Sequence, residues 1–387
     1  MTLKSYIEQI DGYASIRAEI AVLRKYGQDH RAGRGQVKRI IDRLHPARIN
    51  LRVSDVFRET ATTVTLRMVA DNNRALPPFQ AGQYINLTVE ADGIRTSRPY
   101  SISSSPCQTA YYDLTVRQIP DGFVSRHLCQ DVATGERFTA SAPAGNFVYN
   151  PLFHGDDLVF LAGGSGITPF MSMIREITDR GLDRRVQLIY GSQTPPDIIF
   201  RKTLDRLSAG YPQVRVTHVI SAPGADWDGR CGFISADVIR DVIGDSDAKM
   251  FYICGPETMY AFCLPELEKL GISGRRIRRE VFGPPGDVTR EPGWPVEVGP
   301  EDTFTCRVDG QELIIAAAEP LLNSLERHHL ALPALCRSGE CSLCRSRLAA
   351  GRVFQPRGAR VRYSDRKYGF IHPCLAYPIS DIELELP

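Results

Sequence analysis

Between Cys336 and Cys344 the chain reads CRSGECSLC, three thiols within nine residues, and a fourth, Cys374, follows after 29 intervening residues. Thiols grouped in this way can close a disulfide staple, hold zinc or hold iron with inorganic sulfide. The spacing separates these chemistries. Zinc sites favour paired C-x2-C hooks, and only one such pair is present. A C-x4-C-x2-C run with a distant fourth cysteine is the ligand spacing of a [2Fe–2S] cluster. Ser338, Gly339 and Ser342 are small enough for the loop backbone to approach sulfur and donate N–H bonds to it. Cys336, Cys341, Cys344 and Cys374 are therefore the expected metal ligands, and one-electron relay is the expected chemistry. The other six cysteines (Cys107, Cys129, Cys231, Cys254, Cys263 and Cys306) are scattered. All but Cys254 suit the role of small buried hydrophobes.

Three further groups of residues have the types and spacing to bind phosphate-bearing ligands. In RTSRPYSISSSP stand Arg98, Pro99, Tyr100 and Ser101. Along a strand, Arg98 and Tyr100 share one face, so a cation and an aromatic ring address one ligand together. In DGFVSRHL, Gly122, Val124 and Ser125 open a helix whose N-terminal amides can hold a pyrophosphate; Arg117 just ahead of it is counted with the same site. In LVFLAGGSGITPF, Gly163, Gly164 and Gly166 follow a buried strand, with Thr168 as a candidate cap and Pro169 at the first helical position. This differs from the G-x-G-x-x-G dinucleotide fingerprint, whose third glycine is replaced here by Pro169. CGPETM places Cys254, Gly255 and Pro256 in a second turn of the same kind, and ligands of open parallel sheets bind at such strand C-termini.

The elements that must position these residues follow from periodicity and breakers. Residues 1–46 read as a helical arm, through Tyr6, Ile7, Ile10, Ile16, Ile20 and Leu23 and then QVKRIIDRL, with basic residues in excess of acids. Residues 47–152 change to short alternating segments such as TTVTLRMVA and QYINLTVEA, the pattern of an antiparallel β-barrel. Residues 153–283 alternate apolar strands with helical stretches, which implies an α/β domain built on a parallel sheet. PPGDVTREPGWPVEVGP, residues 284–300, reads as a linker. Residues 301–387 form a small domain of short strands around the thiols. The 387 residues suffice for several cores. A net charge of +2 excludes wholesale nucleic-acid binding. No apolar run nears the roughly 20 residues of a membrane span, and MTLKSYIEQIDG lacks a signal-peptide core. A cytoplasmic protein is expected, whose thiols serve metal or redox chemistry.

With R-P-Y-S, G-F-V-S, G-G-S-G-I-T-P and C-G-P-E-T-M in this order, residues 47–283 resemble the ferredoxin reductase superfamily of flavoproteins, followed by a domain similar to plant-type ferredoxins. The resemblance implies a β-grasp-like fold for the last domain and a flavin seated by Arg98, Tyr100 and Ser101, with the serine hydroxyl near flavin N5. It also implies a nicotinamide beside Cys254, and in Glu280 of REVFG a carboxylate facing the flavin. The domain order is similar to oxygenase reductase components and to the hybrid-cluster-protein reductase. NADH hydride would reach the flavin, and single electrons would leave through the cluster to a terminal oxygenase or, as the alternative, another metalloenzyme. FAD is expected over FMN because Gly122–Ser125 offers a pyrophosphate seat, and NADH over NADPH because Asp197 lies near Ser192 and Gln193. Two features depart from the family: the arm, and eight Lys or Arg against the single Asp365 between Cys344 and Cys374. The latter points to a partner with an acidic docking surface. His328 and His329 are expected on a helix surface, and His372 is placed to tune the cluster by hydrogen bonding.

Overall fold

The computed structural model describes residues 12–27 and 35–387, which fall into two units, Met1–Ala47 and Arg48–Pro387. In the first, helices α1 (Tyr13–Tyr26) and α2 (Gln36–Leu44) each start at a left-handed glycine, Gly12 and Gly35. Ile16, Ile20, Leu23, Ile40 and Ile41 on these helices are exposed. The earlier helical stretch expected from Tyr6, Ile7 and Ile10 lies outside the described residues.

Period-two alternation builds the first sheet of the second unit. Its strands are β1 (Ile49–Thr60), β2 (Thr63–Ala70), β3 (Tyr84–Ala91), β4 (Ile94–Ser101), β5 (Tyr112–Arg117) and β6 (Arg137–Ala140). They are ordered β4-β3-β6-β1-β2-β5, and every pair is antiparallel. A bridge between Ile102 and Leu114 draws the two edges together, so the sheet curls into a half-barrel. Leu51, Val53, Leu66, Leu87 and Leu114 fill its inside, and helix α3 (Phe123–Gln130) adds Val124 and Leu128 to the same core.

The second sheet holds β7 (Asp157–Gly163), β8 (Arg185–Ser192), β9 (Val214–Ile220), β10 (Arg230–Cys231), β11 (Met250–Cys254) and β12 (Ile277–Glu280). All pairs are parallel, in the order β10-β9-β8-β7-β11-β12. Because strand side chains alternate, each strand feeds two cores. Phe160, Leu188 and Tyr252 meet Phe170, Ile174 and Leu204 of helices α4 (Ile167–Arg180) and α5 (Arg201–Gly210). Val159, Leu161 and Ile253 meet Ile239 and Leu267 of α6 (Ala236–Ile243) and α7 (Glu257–Lys269) on the other face. The strand order reverses at β7 and β11, which opens a crevice at their C-terminal ends.

The third sheet contains β13 (Thr303–Val308), β14 (Gln311–Ala316), β15 (Ser346–Ala350), β17 (Phe370–Ile371) and β19 (Ile382–Glu385). Its order is β14-β13-β19-β15-β17, parallel only between β13 and β19, and helix α8 (Leu321–Arg327) packs Leu321, Leu322 and Leu325 into its core. This is the β-grasp-like arrangement. β16 (Val353–Phe354) and β18 (Tyr377–Pro378) form a separate pair, and α9 (Tyr363–Lys367) lies between them in sequence.

Residues 284–300 are a packed strap. The Gly286 N–H donates to Glu257 of α7 at 3.0 Å, Val288 is buried, and the Trp294 ring meets Phe354 and Tyr377 edge-on. Among the described residues no helix is long and apolar enough to cross a membrane.

Candidate functional site

The loop from Cys336 to Cys344 is wound around sulfur. The backbone N–H groups of Ser338, Glu340 and Cys341 all donate to Cys336 Sγ, at 3.4, 3.4 and 3.3 Å, and that of Leu343 donates to Cys341 Sγ at 3.5 Å. Such winding needs left-handed backbone at Arg337, Gly339 and Ser342. At Gly339 a side chain is excluded as well, since a Cβ would lie 2.7 Å from Leu375 and 3.2 Å from the Ala359 backbone. The Cys336 thiol contacts those of Cys341 and Cys374, which hold it well below its ordinary range, and Cys344 contacts Cys374. All ten cysteines are free. Four thiols joined in a chain of contacts, with amides aimed at sulfur, fit a two-iron cluster. Buried His372 braces the loop by donating from Nδ1 to the Gly339 carbonyl at 3.0 Å. His328 and His329 come just after α8 ends, exposed, with His329 at φ 62°.

On the half-barrel, β4 carries Arg98, Pro99, Tyr100 and Ser101 opposite Leu87, Asn86, Ile85 and Tyr84 of β3. Ser101 is buried and its hydroxyl has no hydrogen-bond partner. An unpaired buried hydroxyl is costly unless a ligand completes it, so the position fits a flavin. Burial, and then the Arg337 guanidinium, lower the Arg98 pKa to about 10. Gly122 is the N-cap of α3, and the Ser125 hydroxyl accepts from the Ile119 N–H at 3.2 Å. A Cβ at Gly122 would lie 2.3 Å from that hydroxyl, which keeps the helix entrance narrow. Val124 points into the barrel core.

The two glycine turns of the parallel sheet touch. A Cβ at Gly166 would lie 2.1 Å from the Cys254 carbonyl oxygen, and one at Gly255 would lie 3.3 Å from the Gly163 backbone. Thr168 sits inside the first turn of α4, with Gly166 as N-cap, and its hydroxyl donates back to the Ser165 carbonyl at 2.9 Å; it is not the expected cap. Cys254 is fully buried, and burial raises its thiol pKa with Glu280 adding to the effect. Tyr260, one residue past CGPETM, donates to the Glu280 carbonyl and accepts from the Gly255 N–H at 3.3 Å. The Glu280 carboxyl is pushed up to about 8 by burial, then by Glu340 and Cys336. Tyr84 is raised by burial and by Cys336, Cys341, Glu280 and Glu340, so barrel, parallel sheet and cluster loop meet at one point.

A cavity of about 1300 Å³ opens at this junction. Arg117 and the loop to Pro120 form its barrel side; Gly163–Gly166, Gly255 and Pro256 form its floor; Ser338, Glu340 and Leu375 close it from the cluster side. Arg98, Tyr100, Ser101, Gly122 and Ser125 are not on its walls. The Asp197 carboxylate is also absent from them. It is held by the Thr194 hydroxyl at 2.6 Å and the Thr194 N–H at 3.2 Å in a capping box, a local role that its sequence position did not suggest.

Sequence reading missed a buried network between β4 and the cluster loop. The Thr96 hydroxyl donates to Glu326 at 2.7 Å and accepts from Arg98 at 2.6 Å and Arg337 at 3.1 Å, and Arg337 pairs with Glu326. Its members lie up to 241 positions apart. The only local signal was a charged residue, Arg337, directly behind Cys336.

Three family models match in the order of the three sheets: an oxidoreductase FAD-binding domain over residues 50–149, an oxidoreductase NAD-binding domain over 160–264 and a 2Fe-2S iron-sulfur cluster binding domain over 303–378. The glycine betaine monooxygenase reductase subunit of Chromohalobacter salexigens is 28% identical, covering 87% of this chain and 95% of its own length. The NADH oxidoreductase HCR of Escherichia coli is 27% identical over 86% and 96%. In fold, the chain is similar to phthalate dioxygenase reductase, with a TM-score of 0.65 at 24% identity, covering 88% of this chain and 97% of that one. The cofactors are thus FAD, NAD and a [2Fe–2S] cluster, and the chain belongs to the ferredoxin reductase superfamily of flavoproteins that carry a C-terminal plant-type [2Fe–2S] ferredoxin domain.

Proposed function

We propose that this protein is the NADH-dependent reductase component of a terminal oxygenase. The carrying observation is the junction where the nicotinamide turns, the barrel and the cluster loop wall one cavity. The names of the similar reductase subunits support the oxygenase as acceptor. Bound FAD supplies the chemistry that a two-electron donor and a one-electron cluster both need, since it accepts hydride and passes electrons on singly.

The chain's own residues orient and enclose. Arg98 holds the flavin's phosphate, Pro99 and Tyr100 shape the strand beside it, and the Ser101 hydroxyl meets the ring. Gly122, Val124 and Ser125 set the entrance of α3 for the pyrophosphate, with Arg117 as a second cation. Gly163, Gly164, Gly166 and Thr168 form one side of the nicotinamide seat, and Cys254, Gly255 and Pro256 the other. Glu280 closes the flavin face, with its carboxyl pushed up to about 8, first by burial. Cys336, Cys341, Cys344 and Cys374 hold the cluster.

The working domain limits are 1–46, 47–152, 153–283 and 301–387, with 284–300 between. The surface beside the cluster is the docking face for an acidic partner. Of its eight cations, Arg345, Arg347 and Arg360 pair with Asp365, Glu385 and Glu340. Arg352, Arg357, Arg362, Arg366 and Lys367 are exposed and without an ion pair among the described residues.

Cys341→Ser tests this division of labour. Cluster absorption and reduction of a one-electron protein acceptor are expected to vanish while NADH–ferricyanide activity survives. Survival of protein-acceptor reduction without the cluster would refute the reading.

A further inference from the structure

The network around Thr96 has an unbalanced charge. Arg337 and Glu326 are 4% and 6% exposed, and Arg98 is half-buried beside them. Two guanidinium groups therefore share one carboxylate. Another acid that acts on Arg98, Glu319, is already bound to Arg327 and to the Ser324 hydroxyl. Thr96 is saturated, since its one O–H points at Glu326 and both lone pairs receive N–H donors from the two arginines. One positive charge is thus left over in a low-dielectric place, where it is expensive without an anion.

Each partner of this network has a distinct origin. Thr96 and Arg98 belong to β4, Glu326 to α8, and Arg337 to the cluster loop itself, directly after Cys336. Arg337 also donates to Asn323 at 2.9 Å, and Asn86 of β3 donates to the Ala334 carbonyl at 2.5 Å just before the loop. Arg337 holds a left-handed φ of 52°, unusual for a non-glycine residue, so its backbone conformation is sustained by what its side chain grips.

We propose that Arg337 and Glu326 are positioning residues that make the cluster loop part of the flavin's anion site, so that phosphate held at Arg98 and seating of the loop on the barrel are one coupled equilibrium. This rests on the reading of Arg98 as the flavin-phosphate seat. The anion supplies the charge that the network lacks, and by linkage whatever strengthens its binding strengthens the seated loop equally. The consequence is ordering: the path from flavin to cluster is assembled fully only when flavin is present.

The signs distinguish this from simple structural support. Arg337→Met leaves Arg98 already neutralised by Glu326, so FAD should bind about tenfold more weakly; Glu326→Gln adds to the positive excess, so FAD should bind about tenfold more tightly. The double variant restores the single excess charge and should lie within about twofold of the parent. The measurement is the FAD dissociation constant of the full-length, cluster-loaded protein, read from flavin fluorescence on dilution, with cluster absorbance as the folding control. If both single variants weaken FAD, or neither shifts it, the coupling is refuted. Should Glu326→Gln fail to fold, the double variant against Arg337→Met decides: tighter FAD supports the coupling, and equal or weaker FAD overturns it. Arg98→Met separates the two readings. If it leaves FAD binding unchanged, the phosphate seat and the coupling fall together. If it weakens binding while the charge variants shift alike, the coupling alone falls.

Discussion

At the scale of single residues, Ser101 shows how a binding site can be read from what it lacks. Its hydroxyl is buried at the end of β4 with no partner, an arrangement that costs about 1–3 kcal/mol. Removing it should therefore cost the flavin-free protein nothing and impair only the loaded one. Ser101→Ala is expected to leave the melting temperature of flavin-free protein unchanged or slightly raised, and to slow NADH-driven flavin bleaching about tenfold, the effect of one lost hydrogen bond in the transition state. Stopped-flow absorbance paired with thermal denaturation reads both; a lower melting temperature with an unaltered bleaching rate would show the serine to be purely structural. That Cys336, Cys341, Cys344 and Cys374 come together was legible in the sequence because thiol spacing is itself a chemical signature. Arg337, Glu326 and Thr96 were not legible, since nothing local tells a buried arginine from an exposed one.

Elements were legible wherever a period was long enough to register. The alternation of TVTLRMVA becomes a strand lining the half-barrel, and the runs around DLVFLAG and KMFYIC become adjacent parallel strands. Short polar turns were harder, because a carboxylate near a binding site and a carboxylate capping a turn look identical in sequence. Asp197 is the instance: position suggested a nucleotide discriminator, but two bonds from Thr194 hold it in the turn. Asp197→Ala is accordingly expected to cost about 1 kcal/mol in stability and to leave the ratio of kcat/KM for NADH over NADPH unaltered. Urea unfolding and steady-state kinetics with both nucleotides check this, and a narrowed ratio at undiminished stability would return Asp197 to nucleotide recognition. Residues 284–300 teach the complementary lesson. Glycine and proline content signals an irregular path, but Trp294 fixes that path by packing, and composition cannot distinguish a tether from a strap.

For the whole molecule, the unpaired cations beside the cluster matter through their field. Attraction to an acidic partner speeds docking, and is screened over about 10 Å at 0.1 M salt. Arg362→Glu combined with Arg366→Glu should slow electron delivery to the native protein acceptor about tenfold at low ionic strength and flatten its salt dependence, while NADH oxidation by small acceptors continues. Equal rates for the parent and the charge-reversed protein at every salt concentration would move the docking face elsewhere. The cluster loop also has two sides. Ser338 and Glu340 border the inner cavity, whereas Leu343 is 49% exposed at the outer rim, and Trp294 clamps the domain that carries them. In circuit terms, the wire is complete once flavin has seated the loop. Input and output terminals would then stand on opposite sides of it, so a docked acceptor could draw current while spent nucleotide is exchanged behind it.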